Sequence, residues 1–386
     1  MLAWHPYALF IVLFLIFGLI TALVNQFTVR RFDQYPPAKE FPFVSVLIPA
    51  RNEAHNFTAC VTSLLTQDYP NFEVIVLNDN STDDTCRILE RLAKNDNRLR
   101  VIQGAPLPED WLGKHWACHQ LDQAAIGELI LFTDADTRHT PDMLRASVSA
   151  LIAEHADLVT AFPREEVITW GERLLVPFMC WATFTFIPLR LVQKLHWSAL
   201  SITLGQFMLF RRAAYDAVGG FEAVKSDVVD DVCLGRRIIA SGGEWRFMDG
   251  TRHVSCRMYG GLRESIGGFS KTLFAVFDYR ILPYVFAWTL AGLAILGPVI
   301  EFILHWVPRH LPSMPVEYTV ISMVLSMILW LITLWRFRFP RYLVFFYPLS
   351  MALFIVVAAL SFLQVVSGTA TWKDRVLDRS SALRWL

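Results

Sequence analysis

Charge is what this 386-residue sequence has little of. Only 18% of its residues are Asp, Glu, Lys or Arg, the two signs balance at 35 each, and the formal net charge is zero. A balanced chain lacks the global basic field by which nucleic-acid-binding proteins capture their partner, so no nucleic acid is expected. Cysteine is scarce as well. The six present (Cys60, Cys86, Cys118, Cys180, Cys233 and Cys256) form no Cys-x-x-Cys pair. That fits reduced thiols in a cytosol better than a disulfide framework or a zinc site. No internal repeat and no low-complexity tract occurs. No Lys or Arg precedes the first apolar run, which removes the basic front of a cleavable signal peptide. What is abundant is apolar surface: 54% hydrophobic and 13% aromatic residues, with a mean hydropathy of +0.39. The chain is too apolar for an ordinary soluble enzyme and not apolar enough for an all-membrane transporter. One soluble domain plus a few membrane segments is the expected design.

Tyr7 to Val24 is uncharged, close to bilayer length, and followed by Arg30-Arg31. It reads as a signal anchor with its start outside and the next domain in the cytoplasm. Three more apolar segments run from Ile281 to Val307, Val316 to Trp335 and Tyr342 to Val366. If all four span once, Arg336, Arg338 and Arg341 fall inside, but Lys373, Arg375, Arg379 and Arg384 fall outside, against the positive-inside tendency. Ile281 to Val307, with Gly297-Pro298 and Glu301, is then the candidate for a re-entrant segment. Leu174 to Leu189 carries Pro177 and Pro188 and reads as an interfacial or partly inserted helix within 174–200, or as a buried core helix. The expected organisation is an anchor at 1–29, a cytoplasmic domain at 30–280 after the stiff Pro36-Pro37 spacer, membrane segments at 281–366 and a tail at 367–386.

Within 30–280, strand-type runs alternate with helical patterns. Val44 to Pro49, Phe72 to Leu77, Arg100 to Gln103, Leu129 to Phe132, Asp157 to Phe162 and Gln206 to Phe210 read as strands. Helical stretches lie near Phe57 to Leu65, before Ala93, after Trp111-Leu112-Gly113-Lys114, and after Thr140-Pro141-Asp142, a cap-plus-proline start. That alternation implies an α/β layered domain with a mostly parallel sheet.

The chemistry concentrates where strands end. Leu129-Ile130-Leu131-Phe132-Thr133 runs into Asp134-Ala135-Asp136. In an extended chain, residues i and i+2 share a side, so two carboxylates aim at one point, at the edge where open α/β sheets bind ligands. Hard divalent cations such as Mg2+ or Mn2+ take such oxygen ligands together with substrate phosphates. An Asp-x-Asp in a loop also arises by chance, so the rest of the chain decides. Val228-Val229-Asp230-Asp231 opens an apolar helix, where acids suit the positive end. His115 and His119 are four apart but have no third ligand or Glu partner. His253 is a possible third ligand for the metal or a packed histidine.

Four landmarks in order make the chain resemble the family 2 glycosyltransferases. They are Val46-Leu47-Ile48-Pro49-Ala50-Arg51-Asn52-Glu53, Asn78-Asp79-Asn80-Ser81-Thr82-Asp83, Asp134-Ala135-Asp136 and Asp230-Asp231. The resemblance covers about Phe43 to Gly268. It implies a GT-A-type nucleotide-sugar-binding domain between N-terminal and C-terminal transmembrane helices. The Trp111-Leu112-Gly113-Lys114 and Met258-Tyr259-Gly260-Gly261 stretches are similar to the bacterial branch linked to hopanoid or carotenoid biosynthesis. The resemblance further implies that Ala50, Glu53 and Asp79 lie in a uridine diphosphate sugar site, with Lys114 at the diphosphate. Asp134 and Asp136 would hold the divalent cation, Asp231 would be the general base, and Asp230 and Arg257 would belong to the substrate site. Asp230 stands where that family more often has Glu. The Gln-x-x-Arg-Trp motif of its polymerases is missing after the acidic pair; Gln193-Lys194-Leu195-His196-Trp197 precedes it and has His for Arg. Transfer of one sugar, with inversion, to a lipid in the bilayer of the inner membrane is therefore expected; the acceptor would be a terpenoid or polyprenyl lipid. Two other classes stand beside this reading. A nucleotidyltransferase needs a Gly-rich basic loop after the first strand, which Pro49 to Glu53 is not. A non-catalytic scaffold or transporter would not need intact acids at all four landmarks.

Overall fold

The computed structural model describes residues 5–308, 313–369, 371–372, 375–376 and 383–385. Lys373 and Arg379, two of the tail charges weighed above, lie outside the described residues. The chain forms two compact units. One comprises Thr28–Glu166 and Leu189–Met258; the other comprises Met1–Phe27, Val167–Pro188 and Tyr259–Leu386. This division differs from the continuous 30–280 domain expected from sequence. Residues 167–188 and 259–280 belong with the apolar helices, for packing reasons given below.

The first unit is built on β1 (Val44–Ala50), β2 (Phe72–Asn78), β3 (Leu99–Gln103), β4 (Leu129–Phe132), β5 (Thr137–His139), β6 (Leu158–Phe162), β7 (Arg164–Glu165), β8 (Met208–Arg211), β9 (Trp245–Asp249) and β10 (Val254–Cys256). Seven strands form one sheet in the order β3-β2-β1-β4-β8-β6-β9. Only β8 runs antiparallel to its neighbours. β5, β10 and β7 form a second, small sheet. β2 is buried at every residue and β1 at all but Pro49, as expected of strands covered on both faces. Alternation sorts the two faces. Val44, Val46, Ile48, Val74, Val76, Leu129 and Leu131 share one core with Phe57, Val61 and Leu64 of the helix Ala54–Leu65 and with Leu144, Val148 and Leu151 of the helix Met143–Ala153. On the other side, Phe132 packs against Phe210, Tyr215 and Phe221. Gly220, at φ +50°, lies so close to Tyr215 that an added Cβ would sit 2.7 Å from its ring. Helix Met143–Ala153 starts two residues later than the Thr140-Pro141 signal implies. Thr140 is held elsewhere: its N–H donates to His253 O and its carbonyl accepts from Gln67.

β1 is flanked by β2 on one side and β4 on the other, so the chain order reverses there. The carboxyl ends of β1 and β4 therefore border the crevice in which such sheets bind ligands.

In the other unit, four stretches among the described residues are helical, long and apolar enough to cross a membrane: Pro6–Thr28, Ile281–Leu304, Val316–Arg336 and Arg341–Val366. Ile281–Leu304 is one uninterrupted helix that takes Pro298 inside it, not the re-entrant loop expected at 281–307. The broken stretch is the one at 170–195, helical over Trp170–Phe186 and again over Leu189–Leu195. Trp170–Phe186 is the buried helix of the two alternatives. An interfacial helix would leave a broad face open, whereas Leu175, Val176, Phe178, Trp181 and Phe184 are all buried. Its partners are in its own unit: Trp181 stacks on Trp330 at 5.3 Å, Phe178 on Phe354 at 3.8 Å, and Phe186 on Phe14 at 5.3 Å. A Thr169–Glu172 capping box opens this helix.

The end of that helix carries carbonyls that an apolar medium cannot satisfy. Asn25 does so. Its Nδ2 donates to Phe184 O at 2.9 Å and to Ile187 O at 2.8 Å. Asn25→Ala leaves both carbonyls without that donor and is expected to cost about 1–3 kcal/mol. Thermal or denaturant unfolding of the detergent-solubilised protein checks this; an unchanged midpoint shows that Asn25 is not the stabilising cap.

Candidate functional site

The residues singled out from sequence come from the ends of β1, β2 and β4 and from two helix starts. Ala50 ends β1 and its carbonyl accepts the Asp79 N–H at 2.8 Å. Asp79, buried past β2, is approached by Arg51, whose Nη1 is 3.1 Å from Asp79 O and 3.6 Å from its carboxylate. Glu53 caps the helix Ala54–Leu65 and donates its N–H to Thr85 Oγ1 at 2.9 Å. Asn52 and Asn80 both take positive φ, where Asn is better tolerated than most residues. The two loops are laced together by Thr82 N–H donating to Asn52 Oδ1 at 2.8 Å. Ala50, Glu53 and Asp79 are thus one neighbourhood beside the switch point.

Lys114 stands in the first turn of the helix Gly113–Ala124. Its Nζ is 2.7 Å from Asp134 Oδ1, and both side chains keep about a quarter of their surface exposed, at 26% and 28%. Burial pulls the Lys114 pKa down, but Asp134 and Asp230 outweigh it and hold the ammonium well above its ordinary range. Asp230 and Asp231 open the helix Asp230–Ala240. Asp231 is fixed by two backbone donors, Gly205 N–H to Oδ2 at 2.9 Å and its neighbour Val232 N–H to Oδ1 at 2.8 Å. Gly205 shows how tightly these groups converge. A Cβ there would lie 3.3 Å from Lys114 Nζ, 3.5 Å from Asp231 Oδ2 and 3.8 Å from Asp134 Oδ2. No sequence signal marked Gly205, because a lone glycine between a helical stretch and a strand has many uses.

Asp136 is half-buried. Burial, then the charges of Asp134 and Glu53, push its carboxyl up to about 7. Its Oδ1 is buried with no hydrogen-bond partner among the described residues. Cys256, at the end of β10, donates to Asp136, and Arg257 is the next residue in the chain. An anionic oxygen that the chain leaves unanswered, beside a second carboxylate, fits a hard divalent cation. Among the described residues, no three His, Cys, Asp or Glu side chains converge to hold a metal. His253 does not join the pair: its Nε2 faces Asp142 at 3.5 Å and its ring packs on Phe32. His115 and His119 diverge as well. His115 Nε2 is 2.7 Å from Asp227 O, and the His119 ring lies against Trp111 and Trp116. Glu165, whose carboxyl burial and the nearby Asp136 push well up, is a further acid of this region that sequence reading passed over.

Asp231 is also pushed up to about 7, first by burial and then by Asp230. An acid whose pKa is raised on folding binds its proton more tightly in the native state, so it lowers stability as pH rises from about 4 through 7. Asp231→Asn removes that penalty. In EDTA, the variant's melting temperature relative to wild type is expected to become more favourable between pH 5 and pH 8. A difference that is flat with pH shows that Asp231 titrates normally.

Comparisons with known proteins bear on the family and the fold. Residues 45–219 match the family model described as glycosyl transferase family 2; Asp230, Asp231 and Arg257 lie beyond the matched stretch. A beta-monoglucosyldiacylglycerol synthase of Nostoc sp. is 31% identical over 226 residues, covering 57% of this chain and 46% of that protein. A 4,4'-diaponeurosporenoate glycosyltransferase of Staphylococcus haemolyticus is 23% identical over 254 residues, covering 65% of this chain and 66% of that protein. The chain spans about half the length of the first of these relatives. A mannosyltransferase of Pyrobaculum calidifontis, solved with GDP-Man and Mn2+, superposes with a TM-score of 0.58 at 18% identity, covering 92% of this chain and 99% of that one. The chain therefore carries a family 2 glycosyltransferase domain with the GT-A fold.

Proposed function

We propose that the protein is an inverting glycosyltransferase that moves one sugar from a nucleoside diphosphate sugar to a hydroxyl of a membrane lipid, a terpenoid or polyprenyl lipid, at the cytoplasmic face of the inner membrane. The observation that carries this reading is the convergence of Lys114, Asp134 and Asp231 on Gly205, which brings a cation, a metal-type carboxylate and a base-type carboxylate to one point. The family 2 domain supports the reaction type. The four apolar helices support a bilayer setting, and relatives whose names specify diacylglycerol and diaponeurosporenoate support a lipid acceptor.

Asp134 and Asp136 would hold Mg2+ or Mn2+, which when bound offsets the charge of the departing diphosphate. Lys114 adds a second positive charge on the same side. Asp231, held by the Gly205 and Val232 N–H groups, takes the proton from the acceptor hydroxyl. The acceptor oxygen forms its bond to the sugar's anomeric carbon as the bond from that carbon to the phosphate oxygen breaks. One displacement inverts that carbon. Glu53 and Asp79 accept hydrogen bonds from the nucleoside, with Ala50 beside them, and Asp230 and Arg257 complete the substrate site. UDP is the nucleotide the sequence resemblance implies, and GDP is the alternative to be measured beside it.

Comparing lipid extracts of cells with and without an active gene copy by mass spectrometry tests the assignment. A glycolipid lost with the active copy is expected; an unchanged lipid profile removes the lipid acceptor. Two sets of variants separate the roles. Asp134→Ala or Asp136→Ala should abolish transfer and weaken nucleotide-sugar binding, and full activity in EDTA removes the metal. Asp231→Asn should lower turnover on the order of 100- to 10,000-fold with nucleotide affinity nearly unchanged. Turnover near wild type would move the base role to Asp230.

Orientation is tested by a cysteine introduced at exposed Glu109, with Cys86 and Cys233 replaced by Ser. A membrane-impermeant maleimide should label it only after the cells are permeabilised. Labelling in intact cells reverses the topology.

A further inference from the structure

Under the Asp134–Asp136 turn lies a buried hydrogen-bond set with no part in the proposed reaction: Cys60, Thr133, Thr137 and His139. The Thr137 hydroxyl donates to the Asp134 carbonyl at 2.7 Å, and the Thr133 hydroxyl donates to the Gln206 carbonyl at 2.8 Å. The two hydroxyls are 3.0 Å apart. His139 Nε2 is 2.9 Å from Thr137 Oγ1 and 3.4 Å from Thr133 Oγ1. Cys60 Sγ reaches the same Asp134 carbonyl at 3.7 Å.

Counting protons decides which way these bonds run. A carbonyl oxygen only accepts, so each threonine has spent its single hydroxyl proton on a carbonyl. Neither has one left for the imidazole. The ring must therefore donate, from Nε2–H to Thr137 Oγ1. The other ring nitrogen agrees: Nδ1 is buried with no partner among the described residues. A proton there would be an unpaired buried donor, which is costly, whereas the Nε2–H tautomer pairs its only proton. Burial alone pushes the imidazole down to about 3, so the ring is neutral. Its place is fixed by β5, where the His139 N–H donates to Ser63 Oγ at 3.0 Å and the residue pairs with Val254 of β10.

The Asp134 carbonyl thus receives the Thr137 hydroxyl and, at 3.3 Å, the Thr137 N–H. Those bonds set the peptide that joins Asp134 to Ala135, and with it the relative aim of the two carboxylates. We infer that His139 is a positioning residue: through its Nε2–H it orients the Thr137 hydroxyl, which holds the Asp134 carbonyl and so aims Asp134 and Asp136 at a single divalent cation. The inference rests on the reading of those two aspartates as the metal pair. A ligand pair must be held tightly to be productive, and outer partners of metal ligands commonly matter 10- to 100-fold in affinity.

The test uses the full-length protein in detergent, with Mn2+ as the probe in the presence of UDP and, separately, GDP. Mn2+ affinity is read by electron paramagnetic resonance, and folding by melting temperature. Gln places its amide nitrogen near Nε2, and Asn places its own near Nδ1. His139→Gln should therefore keep Mn2+ affinity within about threefold of wild type, whereas His139→Asn should weaken it about 10-fold or more. Thr137→Ser and Thr137→Val give the same contrast independently of the ring, with Ser retaining affinity and Val losing it. Equal losses in Gln and Asn, or wild-type affinity in Asn or Thr137→Val, overturn the positioning role. Asp134→Asn and Asp136→Asn tell the two readings apart. If they lose Mn2+ while the His139 and Thr137 variants keep it, only the positioning role falls. If they too bind Mn2+ like wild type, the metal pair falls and the positioning role with it.

Discussion

Repulsion among carboxylates at the loop ends of the sheet is the constraint on which the first unit depends. Asp134, Asp136, Asp230 and Asp231 are gathered there, and Lys114 is paired directly with Asp134. Burial and mutual charge hold Asp136 and Asp231 up to about 7. Such an arrangement disfavours the folded state, and its persistence has a chemical rationale. A carboxylate poised near neutrality suits a general base, and a buried carboxylate oxygen such as Asp136 Oδ1, without a hydrogen-bond partner among the described residues, suits a cation. Lys114 offsets part of this charge, because its ammonium pairs with Asp134.

The sheet makes this gathering possible. The parallel strands β1, β2 and β4 all point their carboxyl ends the same way, so loops distant in sequence open at one edge. β8 is the exception, entering antiparallel beside β4, and it brings the preceding Gly205–Gln206 segment to that edge. Gly205 has no side chain, and that leaves the space into which Lys114, Asp134 and Asp231 point. The other unit meets a different demand. Its helices are apolar enough for a bilayer, so every helix end within it needs an internal partner. Asn25 meets this need at Phe184 and Ile187; elsewhere in the unit the Tyr284 hydroxyl donates to the Ala358 carbonyl within a helix and Ser361 Oγ accepts the Phe274 N–H.

Most of the fold and part of the site were legible in the sequence. Continuous apolar runs of four to seven residues, each ending in a polar loop, are what strands buried on both faces require. The alternation therefore read correctly as a mostly parallel α/β layer. Asp134 and Asp136 were legible as acids at a strand end, and Asp230-Asp231 because acids at a helix start are local; the extended geometry expected of Asp134-Ala135-Asp136 gives way to a turn in which the Thr137 N–H donates to the Asp134 carbonyl. Uninterrupted apolar length likewise marked the four long helices.

What the tertiary structure alone decided was everything that depends on residues meeting from far apart. Pro188 does break the stretch, between Phe186 and Leu189, whereas Pro177 lies inside the helix Trp170–Phe186, which packing on Trp330 and Phe354 buries. Gly297-Pro298 looked like a break, yet the helix Ile281–Leu304 absorbs it. His253 could not be placed from sequence; in the structure it faces Asp142 and packs on Phe32, away from Asp134 and Asp136. His139, Gly205 and Glu165 carried no signal at all, because a buried tautomer, a missing Cβ and a desolvated acid exist only in the company of their neighbours. The sequence by itself determined the strand pattern and the acids at the strand ends, since both follow from local geometry. Which of those acids face one another, and how high their carboxyls are pushed, was decided by burial and by residues that meet from far apart, which local sequence does not encode.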